Sequence, residues 1–238
     1  NVGADGVELD EGNEGNVFAT VLNSDFSRNG GYCDPALFTL DDQVFPGEVD
    51  EDEAEDLVEI DTLDNSCVEI DDVEYDEEND QTVVSFALDL DDGIDIDEAG
   101  PGDLNATMSR STIVRNLDEG VDFDEEDDGG VAVSFLNTTA QRNTDDGYKM
   151  SEEDGGDVLG GLYQVTSRNN GGKGVVYEEE DAGDLNVTVD RSRTARNDDS
   201  DGTGLEITQQ GDPEEDSTLR VRDSNIADGI TTENVTEI

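Results

Sequence analysis

Asn197, Asp199 and Asp201 take the first, third and fifth places of the loop Asn197-Asp198-Asp199-Ser200-Asp201-Gly202, with glycine in the sixth. Oxygen ligands at that spacing, followed by a glycine that lets the chain turn, are what a calcium loop uses to wrap a cation at about 2.3–2.6 Å. The closing acid is missing, because the twelfth place is Thr208, and 66 Asp+Glu in 238 residues meet such a spacing easily by accident. A solvated acidic loop is the default reading; calcium is the one cofactor the chain could take, and none is required. Catalytic chemistry has less to stand on. With no His there is no Ser-His or Cys-His pair. Two carboxylates would suffice for a glycosidase, but among so many acids no pair stands out, and the absence of Trp removes the obvious sugar-stacking platform. The chain is expected not to be an enzyme, and no catalytic residue is assigned.

Cys33 and Cys67 are the only cysteines. A metal site wants four ligands, so the pair reads as one disulfide, worth about 3–4 kcal/mol by loop closure, with two buried thiols as the alternative. Four Asn-x-Thr sequons start at Asn105, Asn137, Asn186 and Asn234 and mark candidate N-glycosylation sites of a secreted chain. Arg110, Arg115, Arg191, Arg193 and Arg196 form two clusters in a chain otherwise poor in cations. Two readings stay open for them: forks bridging carboxylates of neighbouring strands, or assembly contacts with the acidic surface of another subunit.

The net charge of −54 sets the surroundings. A nucleic acid or an anionic membrane would meet repulsion, since affinity for either comes chiefly from Lys and Arg. Self-repulsion of this size needs mobile counter-ions, and at 1 M salt the Debye length is about 3 Å. Only Lys149 and Lys173 are lysines. The composition resembles the acidic proteome of haloarchaea. No apolar run reaches ten residues, so no membrane span is expected, and a chain beginning at Asn1 fits a processed secretory protein.

Short alternating runs such as Val17–Leu22, Thr82–Leu88 and Val131–Phe135, separated by Asp, Gly and Asn, predict strands and turns. The expected class is all-β, a β-sandwich or jelly roll. Gly102-Asp103-Leu104-Asn105-Ala106-Thr107 recurs as Gly183-Asp184-Leu185-Asn186-Val187-Thr188 at an offset of 81. This predicts an internal duplication of a roughly five-stranded unit, with copies at about 82–136 and 160–222 inside a sandwich region of 16–238. Residues 1–15 carry only Val2, Ala4, Val7 and Leu9 as apolar groups and are expected to act as an exchanged strand; an edge strand paired within its own chain is the rival arrangement.

Phe45-Pro46-Gly47-Glu48 and Gly100-Pro101-Gly102-Asp103-Leu104 are Pro-Gly turns leading into strands. In these, and in its outline, the chain resembles secreted filament subunits of the TasA and camelysin type and their archaeal bundling-pilus relatives. The resemblance implies a homopolymer built by donor-strand exchange. The expected function is therefore an extracellular structural subunit of a haloarchaeal filament or surface assembly. A halovirus capsid, spike or tail component and a monomeric secreted binding module are the alternatives.

Overall fold

The computed structural model describes residues 5–12, 14–30, 42–47, 49, 54, 57–58, 69–76, 79–87, 91–126, 129–153, 155–197, 203–211 and 217–238. The chain divides into two units, one of residues 1–30 and 91–238, the other of residues 31–90.

The larger unit is a stack of parallel coils. Each residue of a strand pairs with its counterpart about one coil away, so that Val131 lies beside Leu104 and Val158, and Val158 beside Leu185. From coil 2 to coil 5 the repeat is 27 residues. Coil 1 pairs with coil 2 at a separation of 87, which is one repeat plus the 60 residues of the second unit. We number the described residues of the stack as coils 1 (5–30), 2 (92–118), 3 (119–145), 4 (146–172), 5 (173–197), 6 (203–227) and 7 (228–238).

Three parallel sheets run along the stack. Face 1 holds Asp10–Glu11, Ile94–Glu98, Val121–Glu125 and Ser151–Glu152, continued by Val176–Glu179, Leu205–Gln209 and Ile230–Glu233. The two groups join through Val176 N–H to Tyr148 O (2.8 Å) and Glu178 N–H to Met150 O (2.9 Å). Face 2 holds Val17–Leu22, Asp103–Ser109, Gly130–Leu136, Val158–Tyr163, Leu185–Asp190, Thr218–Arg222 and Thr236–Glu237. Face 3 is short: Asp25–Ser27, Thr112–Val114, Thr139–Gln141, Thr166–Arg168, Arg193–Ala195 and Asn225–Ile226.

Strand alternation sends every second residue inward. Ile96, Phe123, Met150, Tyr177 and Ile207 of face 1 meet Leu104, Val131, Phe135, Leu162 and Leu185 of face 2 in one continuous buried cluster. Phe135 stacks on Phe123 (centroids 6.3 Å apart) and meets Tyr148 edge-on at 4.8 Å. Columns of glycine keep the coils close: a Cβ on Gly156 would strike the carbonyl oxygen of Gly129, and one on Gly129 that of Gly102. The smaller unit is an antiparallel sheet in which Gln81–Ala87 lies between Gln43–Pro46 and Glu69–Asp76.

The sandwich or jelly roll expected from the sequence is thus overturned by mostly parallel sheets. Alternating runs look the same in both arrangements; what differs is the turn. Ser109-Arg110-Ser111 reads like a hairpin connection, yet Arg110 takes φ 51° and turns the chain into a different sheet. Each strand then pairs with its equivalent in the next coil, and the rest of the coil serves as the crossover that parallel strands require. The 81-residue offset is three 27-residue coils rather than a duplicated five-stranded unit. Of the run at 82–88, the described residues 82–87 fall in the antiparallel unit, outside the coil stack.

Candidate functional site: an acidic face, a glutamate ladder and arginine corners

Three features of the stack carry chemistry. The first is the outer surface of face 1, where Asp95 and Asp122 stand in one row and Asp97 and Asp124 in the next, one coil apart. At the corner leading into this face, Asp92, Glu119 and Asp122 bring one carboxylate oxygen each to within 4.8 Å of one another, and Asp118, Glu119 and Asp145 form a second such group. At Asp92, Asp95, Glu119 and Asp122 burial and mutual repulsion both favour the neutral acid. Burial, then the charges of Asp122 and Asp95, push Asp92 up to about 10; burial, then Asp122 and Asp92, push Glu119 up to about 11. Burial, then Asp97 and Asp122, push Asp95 to about 9. Asp122 rises to about 8 through burial and Asp124, held back by Lys149. Lys149 Nζ lies 2.9 Å from Asp122 Oδ2 and 3.6 Å from Asp124 Oδ2. Burial works against the lysine's charge, but these two aspartates outweigh it and keep Lys149 protonated.

The second feature lies at the end of each face 1 strand. Glu98, Glu125, Glu152 and Glu179 stack one per coil with no exposed surface, and Gln209 continues the rank in coil 6. Glu98 meets Glu125 and Glu11 carboxyl to carboxyl, and Glu179 meets Glu152 in the same way. Glu179 Oε1 accepts the backbone N–H groups of Asp181 (3.0 Å) and Gly183 (3.1 Å), tying down the turn into face 2. Burial raises Glu98, and it raises Glu179 to about 7 against those two backbone donors. In the same place Gln209 donates Nε2–H to Asp181 O and accepts from Ser217 Oγ.

The third feature is the arginine distribution. All ten arginines, the 12 basic residues less Lys149 and Lys173, are described, and none lies on face 1. Arg110 and Arg191 occupy the left-handed corner between faces 2 and 3, and Arg28, Arg115, Arg142 and Arg196 the left-handed corner between faces 3 and 1, with φ from 49° to 63°. Arg168 and Arg193 lie on face 3, Arg220 and Arg222 at the coil 6 end of face 2. Segments 104–117, 130–143 and 158–172, which build faces 2 and 3 of coils 2 to 4, contain no acid at all. Among the described residues Arg191 is the one arginine in an ion pair, with Asp190 at 3.1 Å and exposed; Arg110 Nε donates to Asn23 Oδ1. Among the described residues, intramolecular ion pairing therefore accounts for little of the cluster.

The remaining sequence candidates fall as follows. Asn197 is a rung of an asparagine ladder: Asn116, Asn143, Asn170 and Asn197 each accept, through Oδ1, the backbone N–H of the asparagine one coil before, and Asp228 accepts that of Asn197. With Asn197 Oδ1 also taking the Asn170 amide (3.0 Å), its head group faces the neighbouring coil. Asp199 and Asp201, the cysteines Cys33 and Cys67, and Val2 and Ala4 lie outside the described residues. Val7 and Leu9 belong to an edge segment bonded to its own chain, through Asp95 N–H to Val7 O (2.9 Å) and Asp97 N–H to Leu9 O (3.0 Å). The sequon asparagines stand on outward positions, Asn137 and Asn234 exposed, Asn105 and Asn186 half-buried on face 2. Sequence reasoning passed over both ladders, although Asn116/143/170 and Glu98/125/152/179 repeat at 27. No protein-family model, no curated protein and no solved structure matches this chain.

Proposed function

We propose that the chain is an extracellular structural subunit of a halophilic archaeon that assembles side by side with copies of itself, the arginine corners of one copy meeting the acidic face 1 of the next. The observation that carries this is the segregation of charge: a chain of net charge −54 keeps its ten arginines off face 1 and leaves long stretches of faces 2 and 3 free of acid. Arg28, Arg115 and Arg142 sit on coils 1, 2 and 3, as do the carboxylates of Asp10, Asp97 and Asp124. Both ranks repeat at the strand spacing, about 4.8 Å, so two parallel stacks match rung for rung. A contact between two different patches does not close on itself and propagates into an open array. Edge segment 5–11 is paired within the chain, and the side-by-side contact proposed here does not itself use strand exchange. Outward sequons support a secreted chain.

The test is sedimentation and negative-stain microscopy in 1 M NaCl of the wild type and of a variant carrying Arg110→Glu, Arg115→Glu and Arg191→Glu, all exposed. Extended assemblies of the wild type and a monomeric, folded variant are expected. A wild type that stays monomeric, or a variant that assembles equally well, overturns the reading. Recovery of the protein only from virions would transfer it to the capsid or tail of a halovirus.

A further inference from the structure

We propose that Asp92, Glu119 and Asp122 form a binding site for one divalent cation, with calcium as the ion their oxygens fit. The three donors come from the start of coil 2 and the start of coil 3, and one oxygen of each lies within 4.8 Å of the other two. An ion bound at about 2.4 Å from each donor allows separations up to twice that distance, and hard carboxylate oxygens are the ligands calcium takes.

Two independent observations point to a ligand. Asp92 is only 9% exposed, and its Oδ1 has no hydrogen-bond partner among the described residues. Asp122 is divided: Oδ2 receives Lys149, while the buried Oδ1 has no partner among the described residues. Buried carboxylate oxygens without donors are costly, and a cation is the group that satisfies several at once.

The chain supplies its own internal control. Stepping along the coils, the position of Asp92 is filled by Glu119, Asp146 and Lys173, and that of Asp95 by Asp122 and Lys149. The only two lysines of the protein therefore stand where these acid rows would otherwise continue into coils 4 and 5. Lys149 reaches Asp122 and Asp124, and Lys173 pairs with Glu206 while its backbone N–H bonds Asp146. Coils 4 and 5 thus neutralise the rows with built-in ammonium groups. The Asp92–Glu119–Asp122 group, one coil earlier, has one lysine at its margin and none within it. A diffusible cation completes the series.

The test is calorimetric titration of the full chain with CaCl2 in 2 M NaCl, where weak surface condensation is swamped, alongside melting temperatures with and without calcium. Asp92→Asn and Asp122→Asn are compared with Asp25→Asn, an exposed aspartate on face 3 carrying the same charge change. The expected result is one saturable site per chain and a calcium-dependent rise in melting temperature. Both should survive in D25N and weaken at least about tenfold in D92N and D122N. Removing a repelling carboxylate should leave those two variants as thermostable as the calcium-free wild type or more so, which shows that they fold. Absence of a saturable site, or equal affinity in all three variants, overturns the proposal.

Discussion

The asparagine ladder between faces 3 and 1 and the glutamate ladder between faces 1 and 2 both stack one polar residue per coil, yet only one does so without protons. In the asparagine ladder each rung accepts a backbone N–H through Oδ1, and that acceptor is present at any pH. Its last rung, Asp228, likewise accepts, taking the backbone N–H groups of Arg196 and Asn197. Ionised glutamates have acceptors alone, so a stack of them at one-coil spacing holds together only when some carry protons or donors reach them from the turn. Coil 6 shows the neutral solution, since Gln209 brings its own N–H to the same place. Repetition therefore stabilises a polar ladder when each head group suits its neighbours, and otherwise ties the fold to pH.

The largest expected effect comes from breaking the neutral ladder. Asn143 Oδ1 accepts both the backbone N–H (3.2 Å) and the side-chain amide (3.1 Å) of Asn116. Asn143→Leu strands two buried donors, each worth about 1–3 kcal/mol when left unsatisfied, so a loss of about 3–4 kcal/mol is expected. Denaturant unfolding in 2 M NaCl at pH 5 and pH 8 checks it. The loss should be the same at both values, and a pH-dependent loss would remove the distinction between the ladders.

The glutamate ladder should show the opposite behaviour. Burial raises Glu179 from 4.5 to about 7, so between these values the folded chain holds a proton that the unfolded chain has released. The associated stability is complete below about pH 4.5 and is lost as pH rises through 7. Glu179→Gln keeps an oxygen for the Asp181 and Gly183 N–H groups and cannot titrate. The variant should match the wild type near pH 4 and exceed it above pH 8 by at most about 3 kcal/mol. An identical difference at both ends of the range would show that no proton is linked to folding at this rung.

Strand positions and inward faces were legible, because Val17–Leu22 and Val131–Phe135 alternate as a half-buried strand must. Parallel pairing was not. Arg110, Asn137 and Gln164 occupy equivalent left-handed corners, and a non-glycine residue gives no sign in sequence that it turns with positive φ. The 81-residue match stood out because coils 2 and 5 share Arg at both corners, whereas coil 4 has Gln164 and Asn169 there, hiding the shorter period. The acid cluster at Asp92 was likewise invisible, since nothing marks three of 66 acids until register brings coils 2 and 3 together.

The smallest expected effect on stability is at the corner that carries the arginines. Arg28, Arg115, Arg142, Asn169 and Arg196 hold equivalent left-handed places, and asparagine tolerates that conformation better than arginine. Arg115 is exposed and in no ion pair among the described residues, so Arg115→Asn breaks none there. Unfolding free energy should stay within about 0.5 kcal/mol of the wild type, with any change towards greater stability. In the assembly we propose, this arginine meets face 1 of a neighbouring copy. In 1 M NaCl the variant should therefore require a higher protein concentration to associate, read by light scattering, while its melting curve is unchanged. Unfolding that weakens by more than about 1 kcal/mol would instead make Arg115 a structural residue and return the arginine corner to the fold's own electrostatics.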